Sequence, residues 1–160
     1  MKQKASLFPL GLAGLVFFVA LAMNLAGPPY NAVSARITEA SQLVTLAREA
    51  YGVEDWLGAH EYASQALALN PDHISARLIR GLSYLNVNAL DLAEKEFRQV
   101  LVVAKHDQNS LAWAHNNLGV VHERRGQLEA ALREYEAALE LDPSNVPARA
   151  NLNLIKKAVP

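Results

Sequence analysis

Residues 112–145 read AWAHNNLGVVHERRGQLEAALREYEAALELDPSN, and the small residues in that stretch decide the fold. Gly119 has counterparts at Ala47 and Gly81, and Ala131 has counterparts at Ala59 and Ala93. In each series the first step is 34 residues and the second is four residues longer. A period of this length marks stacked supersecondary units, each of which needs its neighbours to bury an apolar face. Working outward, the chain divides into blocks 40–73, 74–107 and, after the insertion Gln108–Leu111, 112–145. From Ala40 onward the apolar residues follow helical spacing, and no alternating run is long enough for a strand. The expectation is an all-α chain of three helical hairpins.

The small residue of the first helix in each block is expected to face the small residue of the second. Two antiparallel helices then approach at the short end of the usual range of about 8–10 Å. Tyr84, Phe97 and Tyr135 are expected to fill the space toward the neighbouring hairpin. Pro71 and Pro143 stop the second helices, preceded by the turn formers Asn70 and Asp142. Gly126 ends the first helix of the third block by tolerating positive φ. Lys105 stands where the other blocks have proline, which predicts a longer or looser link near His106–Asn109. The first block is open to an earlier start, near Asn31, as one longer helix. Residues 146–158, with Pro147 at the start and Leu152, Leu154 and Ile155 available to pack, read as a capping helix over the last hairpin. Lys156 and Lys157 suit its carboxyl-terminal dipole.

At these positions the chain resembles the tetratricopeptide repeat family. The third block carries Leu118, Gly119, Gly126, Ala131, Tyr135, Ala138 and Pro143; the second carries Gly81, Tyr84, Ala93 and Phe97; the first carries Leu46, Ala47, Ala59, Ala66 and Pro71. Departures are equally clear. Leu43, Arg77 and His115 replace the family's tryptophan, Arg80 replaces a leucine, and Ala50 and Ala63 replace aromatics. The resemblance implies a helical-hairpin solenoid whose first helices line a concave groove for a segment of another protein. The groove positions are Ser41, Val44, Thr45, Arg48 and Tyr51, then Ser75, Leu78, Ile79, Leu82 and Leu85. The third block adds Trp113, Asn116, Asn117, Val120, Glu123 and Arg124, and the cap adds Asn151.

The middle of that groove reads as an apolar patch of Leu78, Ile79, Leu82 and Leu85 with Trp113 beside it, the composition of an interaction site. Asn116, Asn117 and Asn151 are placed to hydrogen-bond an extended partner, since each amide both donates and accepts. The competing reading covers these leucines as ordinary core, under the chain's own 32–37 region or the insertion. The subtype of the family that grips chaperone tails needs a clamp of basic and amide residues. The matching positions here are Val44, Arg48, Ile79, Trp113 and Asn117, and only Arg48 fits.

Composition excludes several other roles. A net charge of −1 gives no general attraction to nucleic acid. Cysteine is absent, which removes disulfides, thiolate catalysis and Cys-based zinc sites. His60, His73, His106, His115 and His122 show no metal-ligand spacing with a carboxylate, and His115 and His122 read as interior histidines. Without a phosphate loop or a Gly-x-Ser-x-Gly turn, neither an enzyme nor a cofactor site is expected. The expected activity is that of a protein-binding adaptor with an unidentified partner. The alternative is a self-assembling array, a homo-oligomer stacked end to end.

The amino terminus stands apart. Lys2 and Lys4 precede an uncharged apolar run over residues 7–26. It reads either as a single-pass membrane anchor with a cytoplasmic amino end or as a secretory signal with a small-x-small site at Ala20-Leu21-Ala22. A buried helix of the globular domain is the plainer third reading. Either of the first two puts residues after Pro28 across a membrane, in a bacterium the periplasm, and by resemblance in an envelope assembly complex. Gly27-Pro28-Pro29 marks the boundary with the repeats.

Overall fold

The computed structural model describes residues 30–158, which form seven α-helices and, among the described residues, no strand. They are α1 Tyr30–Gly52, α2 Trp56–Leu69, α3 Ile74–Asn86, α4 Leu90–Val103, α5 Gln108–Arg124, α6 Leu128–Leu141 and α7 Val146–Ala158. The chain divides into two units between Ile37 and Thr38, so that α1 crosses the boundary between them. From Thr38 the helices pair as hairpins α1/α2, α3/α4 and α5/α6, with α7 packed on α6.

Each hairpin turns on one residue in left-handed backbone: Glu54 at φ 64°, Asn88 at 59° and Gly126 at 72°. All three occupy the same place in their blocks, and glycine alone adopts it without penalty. The link between hairpins two and three differs from expectation. Helix α4 ends at Val103, Lys105 takes φ 49° in place of a proline stop, and α5 already begins at Gln108. The insertion therefore lengthens a helix rather than loosening a link. Asp107 caps the extra turn by accepting from the Ser110 backbone N–H at 3.1 Å and from its hydroxyl at 2.6 Å. Those two bonds hold the Asp107 carboxyl below its usual pKa. Leu111, on that turn, packs against the buried cluster of Val100, Ala104 and Ala114.

The close approach of each helix pair also has a different cause from the one expected. A Cβ on Gly81 would lie 2.5 Å from the Phe97 ring, and one on Gly119 would lie 2.4 Å from the Tyr135 ring. The glycines therefore make room for an aromatic of their own hairpin. All three aromatics also reach an adjacent element: the Tyr84 ring lies 4.9 Å from that of His60 on α2, Phe97 packs with Leu118 and Val121 of α5, and Tyr135 packs with Leu152 and Ile155 of α7. In the first hairpin Ala47 shares a buried cluster with Ala59 and Ala63, with no ring between them. In the cap, Leu152 and Ile155 are buried while Leu154 is 63% exposed, so only two of the three expected packing residues pack.

The membrane-anchored or exported location expected from residues 7–26 is corrected here. Among the described residues, no helix is long and apolar enough to cross a membrane. Even α1, the longest, carries Arg36, Glu39, Arg48 and Glu49 along its length, and each charge is costly in hydrocarbon. The apolar run itself lies outside the described residues. An anchor, and the envelope role that rested on it, find no support.

Candidate functional site

The first helices of the hairpins lie side by side and are joined by polar contacts that run along the layer. Asn86 of α3 donates to the Tyr51 hydroxyl of α1 at 3.0 Å. Arg124 of α5 donates to the Leu85 carbonyl of α3. Asn151 of α7 donates to Asn116 Oδ1 of α5 at 3.1 Å. Every expected groove position sits on this layer, but the side chains divide into two groups.

Most of the apolar patch is core. Ile79 is buried with Val44, Ala47 and Ala63 at the seam with hairpin one. Leu85 is buried with Phe97, Leu118 and Val121 at the seam with hairpin three, and Leu78, Leu82 and Val120 pack half-buried against that cluster. Tyr51 is half-buried, its ring edge-on to Trp56 at 4.9 Å. Ser41, Thr45, Arg48, Glu123 and Arg124 are exposed, and Ser75 is partly covered. Thr45 spends its hydroxyl on the Ser41 carbonyl. Glu123 accepts from the Tyr135 hydroxyl at 2.7 Å, and burial together with that carboxylate pushes the Tyr135 pKa far above its ordinary value.

The remaining residues converge on one face of α5. Trp113, Asn116, Asn117 and Val120 follow i, i+3, i+4, i+7 spacing and so share a side of the helix. Trp113 is 41% exposed, whereas the two asparagines behind it are nearly fully buried at 3% and 4%. Their amides form a short chain from Asn151 to Asn116 to Asn117, with Asn116 Nδ2 at 3.5 Å from Asn117 Oδ1. Asn117 Nδ2 is left buried with no hydrogen-bond partner among the described residues. A buried donor without a partner costs about 1–3 kcal/mol, and this one lies beneath the surface, out of reach of another molecule.

Sequence reading missed a cluster of charges between the two helices of hairpin two. Glu96 is buried and takes Arg80 at 2.7 Å and Arg77 at 3.4 Å. In hairpin three the equivalent pair is Glu134 with His115, Nδ1 to Oε2 at 2.7 Å. The signal was available: wherever the family tryptophan gives way to a basic side chain, a glutamate stands 19 residues on. His122 bonds Gln127 at 2.7 Å, so both histidines of this helix are partnered, and no group of His, Asp and Glu that could hold a metal occurs among the described residues. At the turns, Arg125 bridges Asp91 and Glu94, holding the Glu94 carboxyl below its usual pKa. An apolar cavity of about 210 Å³ lies between α2 and α3, lined by Trp56, Leu57, His60, Ser83, Tyr84 and Val87.

Comparison with known proteins agrees with this geometry. Tetratricopeptide repeat models match residues 44–110 and 112–145. No curated protein sequence matches the chain. Among solved structures, the Arabidopsis OM64 TPR domain superposes with a TM-score of 0.70 at 18% identity, covering 78% of this chain and 99% of that one. The first TPR of Spaghetti (RPAP3) bound to an HSP90 peptide gives 0.67 at 20%, covering 76% and 94%. The second TPR domain of human RPAP3 in complex with an HSP70 peptide gives 0.64 at 19%, covering 78% and 98%. Identities this low speak for the fold, whereas the two model matches fall on the repeat positions themselves. The chain belongs to the tetratricopeptide repeat family.

Proposed function

We propose that this chain is a non-catalytic adaptor that holds a segment of a partner protein against its layer of first helices, centred on α5 and α7. The observation that carries the reading is Trp113, a tryptophan 41% exposed on the side of α5 that also carries Asn116, Asn117 and Val120. Trp is favoured at binding hot spots because it combines a large apolar area with few rotatable bonds. An apolar side chain of the partner packs on Trp113, and a main-chain carbonyl of the same segment accepts from the partly exposed Asn151 amide. The solved neighbours that hold HSP90 and HSP70 peptides support peptide capture by this fold. The occupant here differs in chemistry. Two of the clamp positions are Val44 and Ile79, both buried in the first hairpin's core, and Arg48 is the only basic residue among the five. A short apolar segment suits this surface better than an acidic tail.

Selection from a displayed random-peptide library tests the reading. The wild-type chain should enrich peptides sharing an apolar or aromatic residue, and Trp113→Ala should bind them with a loss of at least about 2 kcal/mol, roughly thirty-fold. Failure to enrich any common motif, or equal binding by a folded Trp113→Ala variant, would remove Trp113 from the function.

A further inference from the structure

The first and last of the described helices each expose a face, and the two faces have matching chemistry. On α7 the inner face buries Ala148, Leu152 and Ile155, while Val146, Ala150 and Leu154 recur at i, i+4, i+8 on the outer side. Val146 is 70% exposed and Leu154 63%. Arg149 and Lys157 flank that stripe, and α7 carries no acidic residue. On α1, Glu39, Leu46 and Glu49 share an exposed stripe. Leu46 is 42% exposed, although its counterpart in hairpin three, Leu118, is fully buried. The difference follows from position: Leu118 packs on hairpin two, and among the described residues no hairpin precedes Leu46.

We propose that a second copy of this chain covers these faces, with α7 of one copy lying on α1 of the next. Val146 and Leu154 form an apolar seam with Leu46, and the two basic residues face the two glutamates. Spacing agrees with this pairing. Arg149 and Lys157 are eight residues apart, about 12 Å along a helix, and Glu39 and Glu49 are ten apart, about 15 Å. Opposite charge selects the occupant, because either face laid on its own equivalent would oppose like charges. The contact joins two different patches, so it is heterologous and leaves a free α1 and a free α7 at the ends of every assembly. Each helix then occupies the place that a second helix of a further hairpin would fill.

Size-exclusion chromatography with light scattering of the full chain, over a range of concentration and salt, tests the proposal. Mass should rise with concentration and fall as salt screens the charges. Two variants reverse one face each, E39K/E49K and R149E/K157E. Each alone should associate at least about tenfold more weakly than wild type, and an equimolar mixture should associate again because basic α1 then meets acidic α7. Leu154→Asp should weaken association without any mixing partner to restore it, and circular dichroism confirms that each variant keeps its helices. A wild-type chain that stays monomeric throughout overturns the proposal. So does reversal of both faces without effect, or a mixture of the two variants that fails to recover.

Discussion

Hairpins one and three fill the same interior with different side chains. In hairpin three, Gly119 lies under the Tyr135 ring, and His115 pairs with Glu134 across the two helices. In hairpin one the same places hold Ala47 with Ala63 and Leu43 with Tyr62, all within a single apolar cluster. Hairpin two resembles the third, with Gly81 under Phe97 and Arg77 beside Glu96. The repeat therefore conserves a division of volume and polarity between two facing positions, not a residue at either one. Glycine serves where the opposite helix brings a ring, and alanine serves where it brings only a methyl group. A cation is tolerated at the tryptophan position where the second helix supplies a carboxylate.

The most damaging way to break this comparison is to remove space in hairpin three. Gly119→Leu would drive a side chain into the Tyr135 ring, and urea unfolding should show a loss of at least about 3 kcal/mol. Writing the first hairpin's solution into the third sharpens the point. Tyr135→Ala alone should cost about 3–5 kcal/mol. Adding Gly119→Ala should return about 1 kcal/mol of that, because alanine is the better helix former and now meets no ring. Additive losses in the double variant would mean that the two positions do not share one space.

The charged pair gives the next largest effect. Glu96→Ala leaves Arg77 and Arg80 without their carboxylate in a largely covered place, and a loss of about 3 kcal/mol or more is expected from thermal or urea unfolding. Replacing all three, by Arg77→Leu, Arg80→Leu and Glu96→Tyr, copies the apolar arrangement of hairpin one. That triple variant should be neutral or more stable, by up to about 4 kcal/mol. A triple variant as weak as Glu96→Ala would show that the ion cluster stabilises the fold beyond merely satisfying itself.

The turns give the smallest effect and the clearest sign. Gly126→Ala meets no neighbouring atom, so its whole cost is the left-handed backbone, about 1 kcal/mol. Glu54→Gly removes the same strain from hairpin one and should raise its stability by up to about 1 kcal/mol. Paired melting curves would show shifts in opposite directions.

The helices and their pairing were readable from the sequence because a 34-residue period of small residues leaves few ways to fill a helical hairpin. Which rows meet across the pair was not readable. The spacing of Gly81 and Gly119 shows that something comes close, but not that it is a ring. One side of α5 was readable. Trp113, Asn116 and Asn117 share it as their spacing required, and Asn151 of α7 reaches Asn116. Ile79 and Leu85 follow the same spacing but were claimed by the seams with the hairpins before and after, a choice that one helix's periodicity cannot reveal. Glu96 and Glu134 were visible as a recurring residue and acquired meaning only when seen opposite Arg77 and His115.

The chain has only two tryptophans, and they stand in different hairpins and different surroundings. Trp56 rests half-covered against the Tyr51 ring, while Trp113 is the more exposed of the two, at 41%. Their emission should differ in colour, so Trp→Phe at one site leaves an optical probe confined to the other. A fluorimeter could then follow loosening of the first hairpin separately from events on α5, and report whether the stack melts as one body or frays from an end.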